Sequence, residues 1–249
     1  MMTAGKKHRL GVRSIGRLVA SCWLILGATV AVPASAGSLK VNPVHINLPA
    51  GLQSVSLKMT NGDTAPVSVR VVTYTWTQAA GRDVYTPSSN VILSPPMFTI
   101  PAGQTQLVRI GLRNRAATGA YRVVFEEIPR NNQVDGQIQI NLRLDLPLYV
   151  LAKGRTKADV SWRAWRDASG EMVVEGRNRG LLHSQVLGLD ADQGGRRLSL
   201  SSQMGVVLPG SARQWTAGKH PEFPVGTPLL LRVKGSAGET QTQIVLERG

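Results

Sequence analysis

Few side chains in this sequence have the type and spacing needed for covalent chemistry. Beyond residue 36 the histidines are His45, His183 and His220, and no two of them have metal-ligand spacing. There is no H-E-x-x-H motif, no G-x-S-x-G, no phosphate-cradling glycine loop and no cysteine–histidine cluster. Glu126 and Glu127 are the one adjacent acidic pair. On a strand they point to opposite faces, which is poor geometry for paired acid–base work. Nothing in this set supports an enzyme, a catalytic residue, a metal site, a cofactor or a small-molecule substrate.

The ordered array in the chain is apolar. Between Gln137 and Val150, Ile138, Ile140, Leu142, Leu144, Leu146 and Leu148 recur with a period of two. Gln139, Asn141, Arg143 and Asp145 fill the gaps until Pro147 takes the next polar place. In a β-strand this puts the aliphatic side chains on one face and polar groups on the other. The run is about twice the usual strand length. Such a strand either crosses a large sheet or has apolar surface to offer a partner.

The array must be carried by a β-rich, exported chain. Lys6, Lys7, Arg9, Arg13 and Arg17 precede an apolar stretch, Leu18 to Val32, and an Ala34-Ser35-Ala36 cleavage pattern. Residues 1–36 therefore read as a cleaved signal peptide. Cys22 is the single cysteine and leaves with it, so the exported protein has neither disulfide nor thiol chemistry. The signal's five cations removed, 24 basic residues stand against 15 acidic ones, a net charge of +9. That balance favours anionic partners such as carboxylates, acidic proteins or a membrane surface. Nucleic acid is not an expected partner, because the cations are scattered and not interleaved with aromatics, and the chain reads as exported.

Helix signals are almost absent after residue 36. Short alternating segments bounded by Gly, Pro, Asn and Asp recur instead, at Ser54–Thr60, Val67–Trp76, Thr105–Arg113 and Tyr121–Ile128. They predict an immunoglobulin-like sandwich over residues 37–152. A second β series follows from residue 153 to 249, at Ala158–Trp165, Glu171–Arg177, Gln185–Asp190, Arg196–Leu200, Gln214–Ala217, Pro228–Lys234 and Thr240–Leu246. The expected fold is all-β, two immunoglobulin-like sandwiches after a signal peptide.

Several stretches, in order, resemble the periplasmic chaperones of chaperone–usher pilus assembly, the PapD-like family. They are Leu39-Lys40-Val41-Asn42-Pro43-Val44, Leu57-Lys58-Met59-Thr60-Asn61-Gly62, Val71–Trp76, Ser94-Pro95-Pro96-Met97-Phe98-Thr99-Ile100, Gly103–Arg113 and Tyr121–Pro129. Asn178-Arg179-Gly180 with His183, and Val207-Leu208-Pro209-Gly210, match more loosely. The resemblance covers nearly the whole exported chain and is strongest from Ser38 to Val150. It implies a periplasmic chaperone that folds and caps pilin-like subunits and delivers them to an outer-membrane usher. In that family the last strand of the first domain completes a subunit sandwich that lacks a strand, which is donor-strand complementation. Carried over, Ile138, Ile140 and Leu142 become donor residues, extended by Leu144 and Leu146. A surface structural or adhesive two-domain β-protein, such as a pilus subunit, is the alternative. A subunit would lack one domain's last strand and carry an N-terminal donor extension, and neither trait is visible.

The resemblance also exposes a departure. The family holds the subunit's C-terminal carboxylate with an arginine on the first strand and a lysine on the last. Those positions fall on His45 and Pro147. An imidazole lacks the guanidinium fork, and proline has no donor. If Ile128 lies near Ile138 in a short hairpin, Arg122 falls roughly opposite Leu144–Leu146, at the cleft end of the strand. Arg122, assisted by His45, is therefore the expected carboxylate anchor, with Arg109, Lys153 and Arg155 in reserve. Ser94-Pro95-Pro96 is expected to hold a cis peptide, and His183 to be structural.

Overall fold

The computed structural model describes residues 39–114, 118–129, 140–154 and 157–249. The expected signal peptide and Ile138 lie outside them. The described residues form one compact unit. Every regular element among the described residues is a strand.

Ten strands lie between residues 39 and 150: β1 (Leu39–Asn42), β2 (Ile46–Leu48), β3 (Ser54–Asn61), β4 (Val67–Ala79), β5 (Arg82–Pro87), β6 (Val91–Ser94), β7 (Met97–Ile100), β8 (Thr105–Leu112), β9 (Gly119–Glu127) and β10 (Arg143–Val150). One sheet has the order β1-β3-β8-β6; the other has β2-β10-β9-β4-β5, with β7 against the start of β4. Alternation decides the faces. In β3, Leu57 and Met59 are buried while Ser56 and Lys58 face water. They meet Val108 and Ile110 of β8, and Val69, Val123, Phe125 and Leu148 of the facing sheet, in one core.

Eight strands follow: β11 (Val160–Arg166), β12 (Met172–Asn178), β13 (Ser184–Gln193), β14 (Arg196–Ser201), β15 (Gly205–Val207), β16 (Ala212–Thr216), β17 (Pro228–Gly235) and β18 (Gly238–Arg248). They form one path, β14-β13-β17-β18-β11-β12-β16, with β15 on β13. β18 pairs antiparallel with β17 and, over its last residues, parallel with β11. The second sandwich thus has its two layers joined through β18, around Val174, Trp215, Leu189, Leu231 and Phe223.

The register of β9 with β10 differs from the one expected, which set Arg122 opposite Leu144–Leu146. Arg122 pairs with Pro147, and Glu126 with Arg143. Leu142 O also accepts from Glu127 N at 2.9 Å. The cause is burial. Paired residues share a face, and the observed register sets Leu144, Leu146 and Leu148 opposite Phe125, Val123 and Tyr121. A pairing of Ile128 with Ile138 would have put Leu144, Leu142 and Ile140 opposite Arg122, Val124 and Glu126, with a cation on the core face. Elsewhere, the Ser94–Pro95 peptide is cis, as expected, and so is Asn42–Pro43.

Candidate functional site

The outward face of the β2-β10-β9-β4-β5 sheet carries a run of polar and aromatic side chains where it meets the second sandwich. Tyr74 pairs with Arg122, Trp76 with Ala120 and with Tyr85, and Gln78 with Asp83. These residues therefore share one side of the sheet with Asp145, Pro147 and Tyr149. Together with the second sandwich they enclose a cavity of about 400 Å³, whose walls include His45, Asp83, Arg122, Asp145 and Arg213.

Arg122 is mounted on the aromatics. Its guanidinium carbon lies 4.0 Å from the centroid of Trp76 and 5.7 Å from that of Tyr85. Such stacking favours arginine electrostatically and fixes the plane of the fork. Asp145 approaches one terminal nitrogen at 3.6 Å. The Nε of Arg122 is buried and meets no acceptor among the described residues. A stacked, partly unsatisfied guanidinium in a cavity can receive a carboxylate in bidentate fashion.

Asp83 plays a different part. Trp76 Nε1 donates to its Oδ1 at 2.9 Å and Gln78 Nε2 to the same oxygen at 2.8 Å. Arg213 of the second sandwich donates to Oδ2. Burial pushes the Asp83 carboxyl up, but the hydrogen bonds from Gln78, Arg213 and Trp76 and the charge of Arg213 outweigh it. The group is held below its ordinary value. Gln78 also bridges the sandwiches, donating to Val206 O at 2.6 Å and accepting from Leu208 N at 3.0 Å. Gly81 adds a backbone link, its carbonyl accepting from Gln214 N at 2.9 Å. Ala80 and Gly81 both have positive φ, as a tight β4–β5 turn needs, and a Cβ on Gly81 would collide with the Gln214 side chain. Trp76, Ala120 and Tyr149 pack with Leu208 beneath this polar layer.

His183 enters from the second sandwich and stacks on Tyr149, the centroids 3.6 Å apart and the planes within 9°. Burial, and to a lesser extent His45, pulls its pKa down to about 4. Burial likewise lifts Tyr149 to about 12. The imidazole is neutral at pH 7 and packs on Tyr149.

The structure brings together some expected site residues and separates others. Arg122 and His45 line the same cavity, with His45 exposed. Arg109 sits on β8 in the other sheet, Lys153 lines a separate cavity near Leu52, and Arg155 lies outside the described residues. The aliphatic row divides. Leu148 and Leu146 belong to their own domain's core at 0% and 8% exposed, and Leu144 packs half-buried against it. Only the early part projects, with Leu142 half-buried and Ile140 83% exposed. Sequence reasoning passed over Asp83 and Arg213. The alternation of Arg82–Pro87 after the Ala80-Gly81 turn could have revealed β5 and placed Asp83 beside Gln78. Nothing local announces Arg213.

The backbone of β10 is also uneven in its pairing. β9 covers it along its whole length, but β2 pairs only with Leu148–Val150. Along Arg143–Pro147 the other edge has no strand partner among the described residues.

An edge of this kind on the last strand of a first sandwich coincides with a family assignment. Residues 38–153 match the family model for the pili and flagellar-assembly chaperone, PapD N-terminal domain. The first sandwich belongs to the PapD family. That family is one of chaperones, not of enzymes, and the chain is PapD-like. Among solved structures, the complex of the chaperone CsuC with the tip adhesion subunit CsuE, from archaic Csu pili of Acinetobacter baumannii, is similar at TM-score 0.65 and 18% identity, over 85% of this chain and 99% of that one. The Salmonella enterica SafA pilin–SafB chaperone complex is similar at TM-score 0.58 and 16% identity, over 85% and 97%. The Escherichia coli chaperone DraB is similar at TM-score 0.56 and 16% identity, over 86% and 97%. At these identities the likeness shows the fold. No curated protein sequence matches the chain significantly. Among the described residues of this PapD-like chain, no group of three or more His, Cys, Asp or Glu side chains could hold a metal ion, and no helix is long and apolar enough to cross a membrane.

Proposed function

We propose that this PapD-like chain is a periplasmic chaperone that caps pilin-like subunits by lending them a strand and passes them to an outer-membrane usher. The observation that carries the reading is the open edge of β10 along Arg143–Pro147, next to the cavity that holds Arg122. A sandwich that lacks a strand exposes an edge and a core groove, and it aggregates in water. The open edge supplies the missing backbone partners. Ile140 and Leu142, with Ile138 outside the described residues, fill the groove. Each well-buried aliphatic side chain contributes roughly 1.5–3 kcal/mol before ordering costs. Leu144 and Leu146 leave the donor set, because their side chains already serve the chaperone's own core.

Arg122, assisted by His45, receives the subunit's terminal carboxylate and fixes the register of the lent strand. CsuC is found with a tip adhesion subunit and SafB with a pilin, and the family match brings that kind of partner to this chain. The test is co-expression with a pilin-like subunit followed by purification. A one-to-one complex that is lost on Ile140→Asp is expected; failure to recover any complex sinks the proposal.

A further inference from the structure

The cavity holds two guanidinium groups, on Arg122 and Arg213, and two carboxylates, on Asp83 and Asp145. The two acids are held very differently. Asp83 takes three donors and is closely paired with Arg213. Asp145 lies 3.6 Å from one nitrogen of Arg122, and its side chain is 46% exposed. It stands on the outward face of β10, two residues before Pro147, the residue that pairs with Arg122. Arg122 cannot swing away from it without leaving the faces of Trp76 and Tyr85.

We propose that Asp145 is an internal placeholder for the ligand's carboxylate. In the free chain it balances the charge of Arg122 through a loose contact. An arriving terminal carboxylate takes the guanidinium in bidentate fashion and turns Asp145 out towards water. Capture is then an exchange of one carboxylate for another, so its gain lies in better geometry at the fork and not in the full attraction of an unpaired cation. Asp145 thereby sets how tightly the terminus is held and how readily it is given up. An exposed, loose pair is weak, so removing the competing charge strengthens binding of a carboxylate by about threefold to fivefold.

This inference rests on Arg122 being the carboxylate anchor, and the experiment separates the two. The probe is a synthetic peptide of alternating aliphatic residues, made once with a free C-terminal carboxylate and once as the amide. Each form is titrated calorimetrically against the exported chain and its variants, and the readout is the ratio of acid to amide affinity. Arg122→Ala brings the ratio to about one, and the near-isosteric Asp145→Asn raises it about threefold to fivefold over the wild type. If Arg122→Ala abolishes the preference but Asp145→Asn leaves it unchanged or lowers it, the placeholder falls and the anchor stands. If Arg122→Ala keeps the preference, the anchor falls and the placeholder with it. A gain in Asp145→Asn that persists in the double variant also overturns the placeholder, because it then reflects bulk charge. No preference for the acid in any variant overturns both.

Discussion

Arg122 takes its meaning from the rings beneath it. An arginine on a strand is ordinarily a solvated side chain, but this one lies over the ring of a Trp76 that is 2% exposed. That Arg122 would stand near Pro147 was legible in the sequence, from its place on the strand before the aliphatic row. The ion pair across the cavity was not. Asp83 and Arg213 are 130 residues apart and come together only where two sandwiches meet. His183 shows the same dependence on context in a form that pH can read. Its folded pKa lies below its ordinary value, at about 4 instead of 6.5. The stability tied to the neutral ring is therefore complete above about pH 6.5 and is lost as pH falls towards 4. With a discount for the ring's partial exposure, the loss is on the order of 1–2 kcal/mol. His183→Phe keeps the stack on Tyr149 without the titration, so its urea midpoint should fall less between pH 7 and pH 4.5. Equal falls in the two proteins would rule this out.

The donor row expected from Ile138 to Leu146 is not uniform in its burial: Leu144 and Leu146 on β10 pack against their own domain's core, while Ile140 before the strand is exposed. Alternation along a strand shows which residues share a face; it does not show where the core beneath that face stops. The stop is set by the register with β9, and the register was within reach of a closer reading. Tyr121, Val123 and Phe125 form an apolar face, and only a pairing that sets them opposite the leucines avoids burying Arg122. The division gives a paired prediction. Leu148→Ala, at a fully buried position, should lower stability by about 2–5 kcal/mol. Subunit capture per folded molecule should stay unchanged. Ile140→Ala, at an exposed position, should change stability by less than about 0.5 kcal/mol yet weaken capture roughly tenfold. Denaturation and pull-down on the same two variants measure both halves, and an Ile140→Ala that captures normally would remove this residue from the donor set.

The two sandwiches form one body because polar groups from both fasten them. Gln78 reaches two backbone atoms of the second sandwich, Arg213 reaches Asp83 of the first, and Tyr149 stacks on His183. The two β series were plain in the sequence, because alternation and turn residues are local. How they are joined was not, since none of these contacts is local. Asp83→Ala removes an acceptor shared by three donors and leaves Arg213, at 13% side-chain exposure, without its counter-charge. The expected cost is roughly 2–4 kcal/mol, below that of breaking a fully buried pair. It should fall on the junction and not on either core. Small-angle scattering should then show a wider spread of interdomain separations, with strand content by circular dichroism unchanged. Scattering identical to the wild type's would show that Asp83 does not govern the junction.

The shortness of β2 has a consequence for numbers of molecules. It covers β10 only at Leu148–Val150, which leaves an edge of Arg143–Pro147 without a strand partner among the described residues, about 17 Å long at strand spacing. That length has room for one visiting strand. On the proposed function each copy of this chain therefore serves one client at a time, and holding capacity rises one for one with the number of copies.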